Sequence, residues 1–400
     1  MIPRFKPDLG WQEFWALFRR SHGAVERFER EFACAFKAVD AVAFPYGRSA
    51  QWAFLKAMGI ENAEIIMPAY TCSVVAHAVT LSGNTPRFID INMYDYNMNL
   101  DDAEAAINDK TRAIIATHTF GYPQDLDRLE GIVRHAQERY GHKVWLLQDC
   151  CHAFGAEWKG RMIGTSGDVA VYGFNISKLM TSIFGGMLTF QNQDLANKIR
   201  AWRDANINKP NWLKAQKRRL YLLAVYLAFN EKVYDVTWWL QEKTPFLNSL
   251  TKAYHLDDKI HFPPDYLEKM LDVEAAVGLE QLKKYPEIIS RRRALVRLFD
   301  ECLPRRAGWI LPPIVAGATY SHYAVRVQDR TRAVNLHAMA GTQLGVLIDY
   351  SIPALPCYGG AGFCHPNALL ASQSIVNIPL HPSRHDEFTL RERDLMISGL

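Results

Sequence analysis

The sequence lacks the patterns that mark metal-binding, disulfide-bonded and membrane-spanning proteins. Its seven cysteines include no CxxC pair and no zinc-ligand spacing, and their number is odd. Its thirteen histidines show no metal-ligand spacing, and no stretch reaches the roughly 18 apolar residues that a membrane-spanning helix needs. We therefore predict no metal site and no transmembrane helix, and we expect reduced cysteines in a cytoplasmic protein.

The chain also has little net charge and no low-complexity tract. The excess of basic over acidic residues is only +4, which is too small to favour nucleic acid as a partner. Residues 1–11, MIPRFKPDLGW, are too polar for a secretory signal peptide. With 400 residues and 49% hydrophobic content, the chain can bury a large core, which is typical of one big domain with a smaller one.

Short apolar runs alternate with helical patterns over residues 41–206. This alternation predicts βα units, and so an α/β fold with a mostly parallel central sheet flanked by helices. The predicted strands are AVAFP, EIIM, PRFID, RAIIAT, KVWLLQ, VAVYGF and MLTF. Around this large domain we predict a helical lead-in (1–40), an inserted helical segment (207–262), and a long helix with a smaller C-terminal α/β domain (263–400).

A lysine and an aspartate follow two of the predicted strands. Asp149 directly follows KVWLLQ, and Lys178 lies 29 residues (178 − 149) further along, after VAVYGF. A lysine that forms a Schiff base and a carboxylate that keeps a pyridine nitrogen protonated are what pyridoxal 5′-phosphate (PLP) chemistry needs. Most lysines are solvated and most strand-end aspartates are caps. The functional interpretation of Asp149 and Lys178 therefore depends on the segments that flank them.

Segments along almost the whole chain resemble one known family. They are VERFEREFA, GRSAQWAFLKAMGI, IMPAYTCSVVAHAV, DKTRAIIATHTFGYPQDLD, QDCCHAFGAEWKGRMIGTSGD, FNISK, FGGM and DVEAAVGLEQLKK. In this order and spacing they resemble the DegT/StrS group of PLP-dependent sugar aminotransferases. The resemblance implies a fold type I transferase that binds PLP and works as a homodimer with shared active sites.

The resemblance also implies roles for individual residues. Lys178 matches the Schiff-base lysine, Asp149 the pyridinium partner, and His152 a position beside the ring near its 3-hydroxyl. Lys269 matches a position from which the partner subunit reaches the phosphate. The other cofactor-binding positions that the resemblance implies are Gly47, Arg48 and Ser49 of the phosphate loop, together with Cys72, Gly173 and Asn175.

Three of these positions depart from the family pattern. Cys72 stands where an aromatic residue usually stacks on the pyridine, so a thiol contact, Tyr70 or His152 would have to cover the ring. Gly173 stands where a serine or threonine usually touches the phosphate. Arg48 replaces a threonine or serine, and its guanidinium is able to supply the phosphate contact that Gly173 lacks.

The segment 207–262 is longer than the resemblance predicts. Between 207 and 243, seven bases and three acids give a net charge of 7 − 3 = +4, and the apolar run Leu220–Phe229 is followed by Trp238 and Trp239. Two interpretations are open: a helical pair packed on the dimer or over the active site, or a peripheral contact of 212–243 with the inner face of a membrane. We expect part of the Leu220–Phe229 face to stay accessible.

The sequence therefore predicts an aminotransferase that moves an amino group to a keto-sugar for amino-sugar and polysaccharide biosynthesis. By resemblance, the donor is glutamate and the acceptor is linked to a nucleotide. Alternatives are a sugar dehydratase of the same fold, in which a histidine replaces the lysine, an enzyme acting on amino acids, and a non-catalytic regulatory homologue.

Overall fold

A computed structural model describes residues 1–19, 21–229, 234, 236, 237, 239, 259–305, 308–360, 362–380, 389–391, 393 and 394. Its strands before residue 200 are β1 (Asp40–Phe44), β2 (Glu64–Pro68), β3 (Thr85–Ile89), β4 (Thr111–Thr117), β5 (Trp145–Asp149), β6 (Glu157–Trp158), β7 (Arg161–Met162), β8 (Val169–Gly173) and β9 (Gly186–Phe190). All except the β6–β7 hairpin form one sheet in the order β1-β9-β8-β5-β4-β2-β3. Strand β9 pairs antiparallel with β1 and β8, and the other pairs are parallel. The predicted α/β fold with a mostly parallel sheet is confirmed.

Helices cover both faces of this sheet. In chain order, the helices of the described ranges are α1 (Trp11–Ala16), α2 (Ala24–Ala35), α3 (Gly47–Ala57), α4 (Ser73–Leu81), α5 (Leu100–Ala106), α6 (Leu126–Tyr140), α7 (Gln193–Asn206), α8 (Trp212–Ala228), α9 (Asp272–Cys302), α10 (Arg330–Met339) and α11 (Pro366–Ser374), of which α10 and α11 belong to the C-terminal part. Neighbouring strand residues alternate between two cores: Leu146 packs on the face covered by α2 and α6, and Leu147 on the face covered by α3 and α4. Burial on both faces explains why the central strands are continuously apolar.

The C-terminal part builds a second, smaller sheet. Strands β10 (Trp309–Ile310), β11 (Tyr323–Val327) and β12 (Ile375–Ile378) pair antiparallel in that order. Helix α9 joins both parts, since its first half belongs to the large core and its later residues, such as Phe299, belong to the C-terminal core. Short 3₁₀ helices lie at Thr119–Gly121, Ile163–Thr165, Ile352–Ala354, Pro356–Tyr358 and Gly362–Cys364. The domain boundaries remain predictions.

Helix α8 opens the inserted segment, and its buried face carries bases. Lys214 and Arg218 are each 7% exposed. The Arg218 guanidinium donates to Glu274 Oε1 at 2.9 Å and to Asp265 Oδ2 at 2.7 Å, and Lys214 Nζ lies 3.3 Å from the same Asp265 oxygen. These ion pairs fix which side of α8 faces the protein. Most of residues 230–258, which complete the predicted insertion, lie outside the described residues.

We expect Arg218→Met to lower the free energy of unfolding by about 3–5 kcal/mol, because removing one partner leaves a buried charge uncompensated. That charge is the carboxylate of Glu274, which is 1% exposed. Urea denaturation followed by circular dichroism measures the loss. Lys217→Met, at the neighbouring exposed position, is the matched control and should change stability by less than about 0.5 kcal/mol. Equal losses in the two variants would contradict this role for Arg218.

Candidate active site

Asp149 ends strand β5 near the middle of the sheet, and two hydrogen bonds orient its carboxylate. The residue is 3% exposed. Thr117 Oγ1 donates to Asp149 Oδ2 at 3.0 Å, and the Cys151 backbone N–H donates to Oδ1 at 3.1 Å. Thr117 ends the neighbouring parallel strand β4. Parallel strands end at one edge of a sheet, so this edge gathers the polar groups that follow each strand.

Lys178 lies in a turn after β8. Asn175 Oδ1 accepts hydrogen bonds from the backbone N–H and the hydroxyl of Ser177, at 2.7 and 2.6 Å. The Asn175 carbonyl accepts from the Lys178 N–H at 3.0 Å. Asn175 therefore shapes the turn that carries the lysine. The charge of Lys178 contributes to the pKa shifts of both His152 and Cys151, so Lys178 lies within electrostatic range of the residues that follow β5.

The start of helix α3 meets the end of strand β8 at two glycines. A Cβ atom on Gly47 would lie 3.2 Å from Gly173 Cα, and one on Gly173 would lie 3.3 Å from Cys151 Sγ. Cys151 thus borders the space that a side chain at 173 would need. The first turn of α3 has no side-chain cap. Ser49 is fully buried, and its Oγ has no hydrogen-bond partner among the described residues. Uncapped N–H groups with a nearby hydroxyl form a site for a phosphate group.

The other predicted cofactor-binding residues lie in different surroundings. Arg48 is in the first turn of α3, with its guanidinium carbon 5.7 Å from the centre of the Tyr46 ring. Cys72 is the residue that precedes helix α4, and it is half-buried. Lys269 Nζ forms an ion pair with Asp204 Oδ1 at 2.7 Å. Its contact with the phosphate of a partner subunit therefore stays a prediction.

Three rings form one cluster beside Lys178, and the sequence indicated only one of them, His152. The planes of His152 and Phe120 lie 10° apart with ring centres separated by 6.4 Å, and His322 lies 6.0 Å from each. Burial, with the charge of Lys178, lowers the pKa of His152 well below its usual value. Burial, with Arg292 and then Lys178, lowers the pKa of His322 to about 3. Both imidazoles are therefore neutral near pH 7. The Nδ1 atom of His152 is buried and has no hydrogen-bond partner within the described ranges.

A cavity opens beside Lys178, between residues 5–9 and helix α9. Its charged lining consists of four bases and one acid: Lys6, Lys178, Arg291, Arg292 and Asp8. This excess of positive charge favours anionic ligands. No local pattern of the sequence indicates the two arginines, because Arg291 follows Lys178 by 113 residues (291 − 178). Arg292 Nη1 also donates to the carbonyl of Ser321 at 3.1 Å and so supports the segment that carries His322.

A buried histidine braces the strand end that carries Asp149. The backbone N–H of His118 donates to the Asp149 carbonyl at 3.2 Å. The Gln124 backbone N–H donates to His118 Nδ1 at 3.0 Å, so Nε2 carries the proton that it shares with Gln148 Oε1 at 2.9 Å. This arrangement selects the neutral ring, and burial lowers the pKa of His118 to about 4.

We expect the free energy of unfolding to fall as the pH is lowered from about 6.5 to about 4, by up to about 3 kcal/mol from His118. The unfolded chain takes up a proton on this imidazole throughout that range, whereas the folded chain resists protonation until about pH 4. Urea titrations across the range should therefore show a shallower pH dependence in His118→Gln. His135→Gln is the matched control, since that side chain is 63% exposed. A wild-type pH dependence in His118→Gln would contradict the assignment.

These groups fit PLP as the sequence predicts it. The uncapped start of α3 and the buried Ser49 hydroxyl suit the phosphate, and Lys178 suits the aldehyde. The oriented carboxylate of Asp149 suits the pyridine nitrogen, and the unpaired His152 Nδ1 suits a polar substituent of the ring. In the part of the chain that the structure describes, no group of three or more His, Cys, Asp or Glu side chains is arranged to hold a metal ion.

Comparisons with known proteins found a matching family and several similar proteins. The model of the DegT/DnrJ/EryC1/StrS aminotransferase family matches residues 18–391. Spore coat polysaccharide biosynthesis protein SpsC of Bacillus subtilis (strain 168) is 26% identical over 376 residues, which cover 91% of this chain and 86% of that protein. GDP-perosamine synthase of Escherichia coli O157:H7 is 24% identical over 402 residues, which cover 96% of this chain and 95% of that protein.

A solved structure shows the same fold. A putative sugar aminotransferase from Streptococcus pneumoniae, in its PMP-form, superposes with a TM-score of 0.78 at 21% sequence identity. The superposition covers 100% of both chains. The fold type I architecture predicted from the sequence is therefore confirmed.

Proposed function

Since this chain belongs to the DegT/DnrJ/EryC1/StrS aminotransferase family, we propose that it transfers the amino group of glutamate to a nucleotide-linked keto-sugar. It is a PLP-dependent aminotransferase, and aminotransfer to a keto-sugar serves amino-sugar synthesis. The observation that carries the proposal is the placement of Asp149, Lys178 and the uncapped start of α3 at one edge of the sheet.

Bound PLP supplies a protonated ring that accepts the electron pair left on carbon when a proton departs. Lys178 would hold the cofactor aldehyde, and its Nζ would take and return the proton at the reacting carbon. Asn175 sets the turn that aims this side chain. A dehydratase of the same fold would carry a histidine at this position, so Lys178 favours aminotransfer.

Asp149 and His152 would both help to orient the ring. The Asp149 carboxylate would hold the proton on the ring nitrogen. Hydrogen bonds from Thr117 Oγ1 and the Cys151 N–H keep this carboxylate from rotating. The buried, neutral His152 offers Nδ1 to a polar substituent of the ring. Neutral imidazoles at His152 and His322 also avoid adding positive charge beside Lys178.

The basic cavity beside Lys178 supports the choice of anionic substrates. Glutamate carries two carboxylates, and a nucleotide-linked sugar carries a diphosphate, so both would be attracted by the cavity's excess of bases. Residues 5–9 form one side of the cavity and would help to exclude water from a bound substrate.

We also propose that the enzyme is a cytoplasmic homodimer with shared active sites. All seven cysteines are free, which supports a reducing compartment. In a dimer, Lys269 would exchange Asp204 for the phosphate bound by the partner subunit, as the family resemblance implies.

Two linked assays test the proposal. The purified protein, loaded with PLP, should convert the cofactor to its amine form when glutamate is added, with loss of visible absorbance. Addition of an acceptor from a panel of nucleotide-linked keto-sugars should restore that absorbance and yield an amino-sugar, with ping-pong kinetics. The proposal fails if amino acids and simple keto acids are turned over and no keto-sugar is.

A further inference from the structure

Helices α1 and α8 present large apolar side chains to solvent on adjoining faces, which we call the α1–α8 surface. On and beside α1, its residues are Trp11 (73% exposed), Trp15 (53%) and Phe18 (56%); on α8, they are Leu213 (50%), Leu220 (67%) and Leu227 (71%). Soluble monomers rarely expose so many large apolar side chains together without a binding role. Part of the Leu220–Phe229 face is thus accessible, as the sequence predicted.

Contacts between the two helices show that they lie side by side and run in opposite directions. At the middle of α8, Arg219 Nε donates to the Leu17 carbonyl at 2.8 Å. Near its end, the Tyr226 hydroxyl donates to the Gly10 carbonyl at 2.7 Å, and the Tyr226 ring packs edge-on against Phe14. The exposed apolar residues of both helices therefore belong to one continuous region.

The outward position of the leucines is fixed by the charges on the other side of α8. Lys214 and Arg218 are buried in ion pairs with Asp265 and Glu274. Rotation of the helix to hide its leucines would expose these ion pairs and leave the two carboxylates unpaired. Lys214 and Arg218 are two of the seven bases between 207 and 243, and their burial means that they are not available to lipid headgroups.

The exposed charges that these two helices and Arg19 carry are all positive. The sequences 11–19 and 212–229 contain one acid, Glu13, and it is 0% exposed. Arg19 and Lys217 are exposed, and Arg219 is half-buried. Apolar and aromatic side chains flanked by bases, with no exposed acid in either of these two stretches, complement the headgroups and acyl boundary of an anionic bilayer. A second copy docked by two-fold symmetry would instead bring the same bases together.

We propose that the α1–α8 surface binds the surface of an anionic lipid bilayer. The tryptophans and Phe18 enter the headgroup boundary, the α8 leucines reach the acyl chains, and Arg19 and Lys217 contact anionic headgroups. The contact is peripheral, because no helix in the described ranges is both long and apolar enough to cross a membrane. The proposal is independent of which sugar the enzyme aminates.

Co-sedimentation of the full chain with vesicles tests the proposal. Vesicles of phosphatidylcholine with about 30% phosphatidylglycerol are compared with pure phosphatidylcholine, at about 50 mM and about 500 mM NaCl. We expect binding to the anionic vesicles at low salt and weaker binding at high salt. The double variant Leu220→Glu, Leu227→Glu should bind at least about tenfold more weakly.

Leu370→Glu is the matched control, since Leu370 is an exposed leucine (49%) on α11, and it should bind like the wild type. Thermal melts show whether each variant is folded. Absence of wild-type binding to both vesicle types, or wild-type binding by a folded double variant, overturns the proposal. Light scattering measures the mass of the wild type and of the double variant in solution. If the double variant has a lower mass than the wild type, and the wild type binds no vesicles, the surface is an interface with a second copy of this chain. That result also overturns the proposal.

Discussion

Lys178→Ala should lower the rate of transamination by at least about 10³-fold, because one amine both binds the cofactor and moves the proton. Asn175 and Ser177 maintain the turn without the lysine side chain, so the variant should fold normally. Turnover of glutamate with an accepted keto-sugar measures the rate. Borohydride reduction of the wild type, followed by peptide mass spectrometry, should place a covalent cofactor adduct on Lys178, and the variant should give none.

Two controls separate a catalytic loss from a structural one. Lys110→Ala removes an exposed lysine from a loop before β4 and should leave turnover unchanged. A small amine such as methylamine, added to Lys178→Ala, should restore part of the activity because it can take over the proton transfer. The assignment is wrong if the alanine variant keeps the wild-type rate or if reduction labels a different lysine.

The sequence predicted the framework of the site well, because that framework is local. Strands buried on both faces appear as apolar runs, so the ends of β5 and β8 could be located without a structure. Asp149 is the last residue of β5, Lys178 follows the end of β8 by five residues (178 − 173), and Gly47 is the first residue of α3. Each of these positions needs only neighbouring residues to be recognised.

The rest of the site depends on contacts between distant segments. His322 and Arg291 reach the region of Lys178 only because α9 and the C-terminal sheet pack against the large domain. Phe120 takes a left-handed backbone conformation with φ of +53°, which no local pattern of the sequence predicts. Contacts between distant segments leave no periodic pattern in the sequence.

Helix α8 shows a different limit of sequence interpretation. Its bases look like a solvated or lipid-facing cluster, but Lys214 and Arg218 find their acids in the segment before α9 and at its start. Asp265 lies 47 residues and Glu274 lies 56 residues beyond Arg218. Because both bases face the protein, the leucines on the other side of the same helix face solvent. These leucines form the α8 part of the α1–α8 surface.

Asp149→Asn should lower the rate of transamination by about 10²- to 10³-fold while the fold is preserved. Asparagine has the same shape, and its amide oxygen can still accept from the Cys151 N–H, while Thr117 Oγ1 can accept from its amino group. What is lost is the negative charge that holds a proton on the ring nitrogen and so lets the ring accept electrons. The rate with an accepted keto-sugar and the amount of cofactor retained after gel filtration are measured together.

The matched control is Asp168→Asn, which removes a carboxylate just before β8, at the opposite edge of the sheet. Asp168 pairs with Lys143 at 2.7 Å and accepts from the Leu146 N–H at 2.8 Å, so its loss should affect stability slightly and turnover not at all. Thr117→Val should fall between the two, because it removes one donor that orients Asp149 and leaves the charge in place. If Asp149→Asn kept wild-type turnover with bound cofactor, the charge at this strand end would have no part in the chemistry, and Asp149 would be only a structural cap.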